Sequence, residues 1–177
     1  MYPFIRLATQ WRRARRMPDL PLDGVHVSHH LCLPWDLDPF NELNNGRTLT
    51  LYDTGRIPLA HRIGLLGVLR DTGWGLTIAG ACIRYRRRVR LFNRVEMRSR
   101  VLCWDHRFVY LEQSMWREGD CTSHVLYRAA TVDENGIVGT DRLLSALGHP
   151  HAQCHIPDWV AKWIAAEDAR PWPPMQD

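Results

Sequence analysis

The stretch Pro34-Trp35-Asp36-Leu37-Asp38-Pro39-Phe40-Asn41-Glu42-Leu43-Asn44-Asn45-Gly46-Arg47 decides how the rest of the chain is read. It holds an Asp-x-Asp pair, a short bend, and two asparagines where a helical pattern begins. Asn44 or Asn45 fits the N-cap, because its side-chain oxygen can accept from the N–H groups of the first turn. The unpaired N–H groups of a helix start can polarise a carbonyl. A carboxylate just ahead of them can attack that carbonyl or activate a water. Asp38 is the candidate carboxylate, and a plain Asp-Pro turn residue is its local alternative. Asp36 reads as a turn or ion-pair residue.

Downstream, Leu49, Leu51, Tyr52, Leu59, Ala60 and Ile63 recur at helical spacing to about Gly64. Pro58 removes a helical hydrogen bond and Gly55 weakens the same region, so a kink or a break into two helices is expected near Arg56. Gly64 and Gly67 offer stops. Upstream, residues 25–33 alternate as a strand. Val25, Val27, Leu31 and Leu33 share one face with His29, which reads as a core histidine. His26, Ser28, His30 and Cys32 share the other.

Beyond Gly73 the pattern is that of strands. Residues 76–89 form a long mixed run. In residues 95–103, Val95, Met97, Val101 and Cys103 face one way and Glu96, Arg98 and Arg100 the other. Residues 108–116 follow the Trp104-Asp105-His106-Arg107 turn. Residues 123–132 end at Asp133-Glu134-Asn135-Gly136, with Ile137 and Val138 beyond. One helix followed by long antiparallel strands is an α+β layout. A sheet of about five strands leaves an edge open, so a homodimer that continues the sheet is expected.

The chain is 177 residues long, with 45% hydrophobic and 24% charged residues, which suits one folded domain of residues 23–148 with an extension at each end. Residues 1–22 are basic and amphipathic, fit to pack on the domain or to rest on a membrane surface. Residues 149–177 form a tail in which Asp158 can cap a short helix carrying Trp159, Val160, Trp163 and Ile164. The net charge is +4, and Lys162 is the one lysine. Arginine suits bidentate grip of phosphate or carboxylate. Arg84, Tyr85 and Arg86 are too thin a patch for nucleic acid. Five scattered cysteines with no CxxC spacing point to a reducing compartment and thus the cytoplasm. His149, His151, Cys154 and His155 lack a metal-binding spacing, so no metal or other cofactor is expected.

Three segments together resemble the hot-dog thioesterases, in particular the hydroxybenzoyl-CoA-thioesterase-like branch. They are Asp36-Leu37-Asp38, Asn44-Asn45-Gly46-Arg47-Thr48 and Leu51-Tyr52-Asp53-Thr54-Gly55-Arg56. Ile83-Arg84-Tyr85-Arg86-Arg87 and the residues from Trp104 to Gln113 resemble the same branch. The resemblance covers residues 25–147. It implies a central helix wrapped by an antiparallel sheet, and dimers (possibly paired as tetramers) with sites at the subunit interface. It maps the catalytic carboxylate onto Asp38 and the polarising N–H onto Asn45, with Asn44 beside it. His106 and Arg107 would meet CoA phosphates, and Arg84 would join them. The family's Gly-His is Asn41-Glu42 here, its helix tyrosine is Thr48 and its helix glutamate is Asp53. Glu42 and Thr48 would therefore stand against substrate.

The implied activity is hydrolysis of an acyl-CoA or acyl-carrier-protein thioester to acid and thiol. The alternative is a module that binds such thioesters with little or no turnover. A dehydratase or hydratase would need a histidine paired with an acid at the site, and none stands at the matching place.

Overall fold

The chain builds its fold around one helix, and a computed structural model describes residues 2–175 of it. The strands β1 (His26–Leu31), β2 (Gly75–Tyr85), β3 (Arg94–Trp104), β4 (Val109–Arg117) and β5 (Asp120–Asp133) form one sheet in the order β1-β3-β4-β5-β2. A short β6 (Gly136–Val138) pairs with β5, and every pairing is antiparallel. The inner face of the sheet curls around α2 (Asn45–Arg62). Leu51, Tyr52 and Leu59 of α2 bury against Val95, Met97, Val101, Leu111, Met115, Val125 and Tyr127. On the outer face, α5 (Asp158–Ala169) sets Val160 against Cys103, Tyr110 and Leu126. The helices α3 (Leu65–Thr72) and α4 (Thr140–Ala146) close one end through Leu65 and Leu143.

A break into two helices, one form of the expectation near Arg56, does not occur. The helix α2 runs unbroken through Pro58, starting at Asn44 as cap and ending before Gly64, which adopts φ 81°. Gly67 lies inside α3. A buried proline costs a helix about 3 kcal/mol, but Thr54, Gly55, Pro58, Leu59 and Ala60 are all buried, and packing of this face outweighs the local loss. Gly55 marks the closest approach of helix and sheet. A Cβ there would collide with Met97 Sδ and lie 2.8 Å from Ser99 Oγ. Gly55→Ala is therefore expected to destabilise by about 1–3 kcal/mol through overpacking, despite alanine's better helix propensity. A urea titration against the wild type checks this, and a gain in stability would contradict the close approach.

Two face assignments are corrected. In β1 the polar residues point inward. His26, Ser28 and His30 are buried, while Val27 and Leu31 lie outward and partly exposed. The reason is what awaits them. His26 Nδ1 accepts from Arg62 Nη1 at 3.0 Å, Ser28 Oγ and His30 Nε2 lie 2.9 Å apart, and His30 Nδ1 faces Thr54 Oγ1 at 3.4 Å. His29 is consequently not a core histidine. It lies outside, 3.6 Å from Glu96. In β3 a bulge between Val101 and Cys103 reverses the alternation. Val101 packs on α2, while Cys103 belongs to the cluster under α5.

The buried histidines carry a pH dependence. Burial, aided by Arg62, pushes His26 down to about 4; burial, aided by Arg6, does the same to His30. The unfolded chain takes up protons below the ordinary value of 6.5 while the folded chain stays neutral until about 4. Stability is thus full above that upper value and falls progressively as pH drops to the lower one. Each ring accounts for at most about 3 kcal/mol. Denaturant midpoints at pH 7.5 and 4.5 should show a marked fall on the acid side, and equal midpoints would contradict neutral burial of these rings.

Candidate active site

The loop of residues 34–44 is held at two levels. Asp36 is fully buried and is the lower anchor. Its carboxylate accepts from Arg6 Nη2 at 2.6 Å, Arg47 Nη2 at 3.0 Å and the Leu33 N–H at 2.9 Å. Its carbonyl accepts from the Asn44 N–H at 2.9 Å. This residue therefore ties α1 (Phe4–Ala14) and the start of α2 to the end of β1. Above it the chain forms a small hairpin in which Leu37 bridges to Leu43 and the Asp38 N–H donates to the Glu42 carbonyl at 2.8 Å. Asp38 Oδ1 accepts from the N–H groups of Phe40 at 2.9 Å and Glu42 at 3.2 Å. Asn41 turns the chain with φ 59°. Asparagine is among the few side chains that tolerate this region.

The helix start is prepared chemically. Asn44 Oδ1 accepts from the Arg47 N–H at 3.1 Å, so Asn44 is the cap. Its own N–H is taken by Asp36, so the backbone of Asn44 serves the helix end. The N–H groups of Asn45 and Gly46 have no acceptor among the described residues. They are the first-turn donors that a helix cannot satisfy internally. Beside Asn45 opens a cavity of about 180 Å³ whose lining includes Glu42, Thr48, Tyr85, Arg88 and Ser123. Thr48 Oγ1 turns back to the Asn44 carbonyl at 3.1 Å, and Tyr85 Oη donates to the Asn45 carbonyl at 3.2 Å. Burial raises the Tyr85 pKa, so its hydroxyl stays protonated as a donor. Glu42 Oε1 lies 3.1 Å from Arg88 Nε.

A second cavity of about 390 Å³ is walled by Arg86, Arg87, Arg88, Arg90 and Arg117, and it shares Arg86 to Arg88 with the first. Arg117 is oriented by Asn93 Oδ1 at 2.9 Å. Glu42, Asp120 and Glu118 stand within 4 Å of Arg88, Arg87 and Arg117, so the five guanidiniums outnumber the carboxylates and leave an electropositive rim suited to an anion.

The structure thus gathers Glu42, Asn45 and Thr48 at one cavity, with Asn44 as the cap beneath. Asp38 stands across the small hairpin from Glu42 and is not part of the cavity wall. Two further expectations separate. Arg84 pairs in register with His124 on the outer face, because alternation along β2 puts its neighbour Tyr85 inward. His106 and Arg107 lie in the β3–β4 turn, at the opposite end of the sheet from the helix start. The 11 residues of β3 span roughly 30 Å and separate that turn from the other end of the sheet within one chain. There His106 and Arg107 line a groove with Phe108, Arg128 and Ile164 of α5 instead. Tyr85's bond to the helix end, Arg117 and Ser123 were not expected at the site. Nothing local marked Arg117, which reaches the rim through strand pairing.

A long helix wrapped by a curled antiparallel sheet, entered through a capped and polar helix start, defines a hot-dog protein of the thioesterase type. The chain belongs to the thioesterase-like superfamily, whose family model matches residues 32–164. Among curated proteins it is similar to Protein THEM6 of Xenopus laevis, with 32% identity over 169 residues, covering 94% of this chain and 80% of that one. Protein THEM6 of Drosophila melanogaster is 32% identical over 104 residues, 58% of this chain and 51% of the other. Among solved structures, the probable thioesterase YbaW of Escherichia coli superposes with a TM-score of 0.66 at 16% identity, covering 72% of this chain and 99% of that one. The protein SAV2348 of Staphylococcus aureus, solved in complex with CoA, superposes with a TM-score of 0.62 at 10% identity, covering 78% and 92%. At these identities the structural likeness speaks for the fold.

Proposed function

We propose that this protein hydrolyses acyl-CoA thioesters at the start of α2. The observation that carries the reading is the unsatisfied N–H of Asn45, with that of Gly46 next to it, beside a cavity that bears a carboxylate and continues into an arginine-walled one. The N–H groups would bind the oxyanion that develops when the thioester carbonyl is attacked. Asp38 would act as nucleophile or general base, since its Oδ1 is fixed by two backbone donors while Oδ2 is left for chemistry. A second reading gives that role to Glu42, because Glu42 and not Asp38 lines the cavity beside Asn45.

The arginine rim favours CoA as carrier. CoA brings a diphosphate and a further phosphate, whereas a carrier-protein arm brings one phosphodiester, and five guanidiniums suit the first. Replacing Arg86 and Arg117 together with alanine is expected to raise KM for acyl-CoA about tenfold or more, the worth of one or two charge-assisted hydrogen bonds. The change in kcat should be small. Steady-state kinetics at low and high salt check this, and an unchanged KM would move the carrier elsewhere.

The edge strand β2 is exposed along nearly all of its 11 residues, including Leu76, Ile78 and Tyr85. Such an edge invites pairing. A second copy meeting it would extend the sheet and complete the wall of the cavity, so a homodimer is part of the reading. All five cysteines are free thiols, which supports a cytoplasmic setting. Thiol release over a panel of acyl-CoA chain lengths tests the proposal. Release with saturation supports it. Thermal stabilisation by acyl-CoA with no release on any chain length would make the protein a binding module.

A further inference from the structure

The helix α1 divides its apolar residues between two sides. A helix resting on a domain normally turns its apolar stripe inward. Here Ala14 is buried and Leu7 and Trp11 are half-buried, and polar side chains share that inward side. Gln10 is buried and donates to the His29 carbonyl at 3.0 Å, and Arg6 reaches the buried Asp36 at 2.6 Å. The helix is anchored further by Tyr2 Oη on Asp53 at 3.2 Å and by Trp11 against His61, ring centres 4.7 Å apart. The outward side then carries Phe4 and Ile5, 69% and 86% exposed. At 3.6 residues per turn, Phe4, Ile5, Ala8 and Arg12 fall on one side of the helix, and Arg15 and Arg16 follow in the turn at its end. All six are exposed. The face is therefore apolar at its start and cationic at its end.

The charge on this face is uncompensated. The first 18 residues contain no Asp or Glu. Arg6 is taken by Asp36, while Arg12, Arg13, Arg15 and Arg16 have no acidic partner within ion-pair distance among the described residues. Trp35, 67% exposed, precedes the Asp36 that Arg6 grips and so stands beside this helix. Exposed aromatic and aliphatic side chains next to a block of arginines match the interface of an anionic bilayer, where rings and alkyl chains enter the headgroup layer and guanidiniums pair with phosphates. No helix among the described residues is long and apolar enough to cross a membrane. The geometry is that of a surface contact.

We propose that the outward face of α1 docks the protein on the surface of an anionic phospholipid bilayer, with Phe4 and Ile5 inserted and Arg12, Arg15 and Arg16 on the headgroups. The proposal is independent of the catalytic reading. Co-sedimentation of the full chain with vesicles of phosphatidylglycerol and phosphatidylcholine (about 3:7), against vesicles of phosphatidylcholine alone, tests it. Binding to the anionic vesicles should be at least tenfold tighter and should fall steeply in high salt. Phe4→Glu with Ile5→Glu should abolish it, and Arg12→Glu with Arg16→Glu should weaken it at least tenfold. Both variants change exposed side chains, so an unchanged melting temperature confirms that the fold is kept. Absence of binding, equal binding to both vesicle types, or retained binding by the Phe4→Glu, Ile5→Glu variant would overturn the proposal. A smaller assembly formed by that variant in sedimentation would assign the face to a second copy and overturn it equally.

Discussion

Asp36→Ala is expected to destabilise the fold by about 3–5 kcal/mol, the range for removing one partner of a buried ion pair. The carboxylate has no solvent exposure and satisfies Arg6, Arg47 and the Leu33 N–H at once. Both guanidiniums are themselves mostly buried, with side-chain exposures of 16% and 18%. Without Asp36 two largely desolvated cations lose this carboxylate and the Leu33 N–H loses its acceptor. Total stability of a domain is about 5–15 kcal/mol, so the loss would be a third of it or more. Asp36→Asn keeps the size and part of the hydrogen bonding but not the charge, and it should fall between wild type and Asp36→Ala. Arg6→Ala should cost less than either, because Arg47 then still pairs with the carboxylate. Urea unfolding of the three variants gives the order directly. A loss below about 1 kcal/mol for Asp36→Ala would show that the anchor is not what holds the loop, since that is the scale of an ordinary exposed ion pair.

Much of the architecture was readable from residue patterns because the signals were periodic. The helix over α2, the alternation in β3 and β4, and the turns at residues 104–107 and 133–136 all depend on local spacing. What misled were places where tertiary partners decide. The apolar residues Val27 and Leu31 look like the core side of β1, but Arg62 and Thr54 wait on the other side and take the polar face inward. Pro58 looks like a break, but burial on both sides of it holds the helix. Cys103 looks aligned with Val101, but a bulge, which leaves no mark in alternation, turns it to the outer face.

The candidate site was legible to a similar degree. The role of Asn44 as cap and the unsatisfied amide of Asn45 follow from local rules of helix starts. Within one chain the strand geometry keeps Arg84, His106 and Arg107 away from the cavity beside Asn45. A pattern along the chain carries no information about which end of an 11-residue strand a turn occupies relative to the helix. Arg117 was invisible for the same reason, since only the register of β4 with β5 brings it to the rim.

Asp38→Asn is expected to remove thioester hydrolysis by a factor of about 10²–10⁴, the usual scale for losing a positioned acid–base group. The substitution is chosen to leave the loop intact. Asparagine retains a side-chain oxygen that can accept from the Phe40 and Glu42 N–H groups, as Asp38 Oδ1 does at 2.9 Å and 3.2 Å. It removes the negative charge that would attack the carbonyl or take a proton from water. Stability should therefore change little, in contrast with Asp36, although the two residues lie two positions apart. Glu42→Gln frees Arg88 from its ion pair. On the Asp38 reading this should alter KM, through the arginine rim, more than kcat.

The central claim is that a carboxylate in this loop, working with the free N–H groups of Asn45 and Gly46, cleaves an acyl-CoA thioester. Thiol release by wild type, Asp38→Asn and Glu42→Gln, compared at equal folded concentration on the preferred acyl-CoA, tests it most directly. The account predicts rapid release by the wild type, nearly none by Asp38→Asn, and a kcat close to wild type for Glu42→Gln. Wild-type turnover by Asp38→Asn with loss in Glu42→Gln would transfer the chemistry to the cavity carboxylate. Undiminished turnover by both variants would contradict the claim.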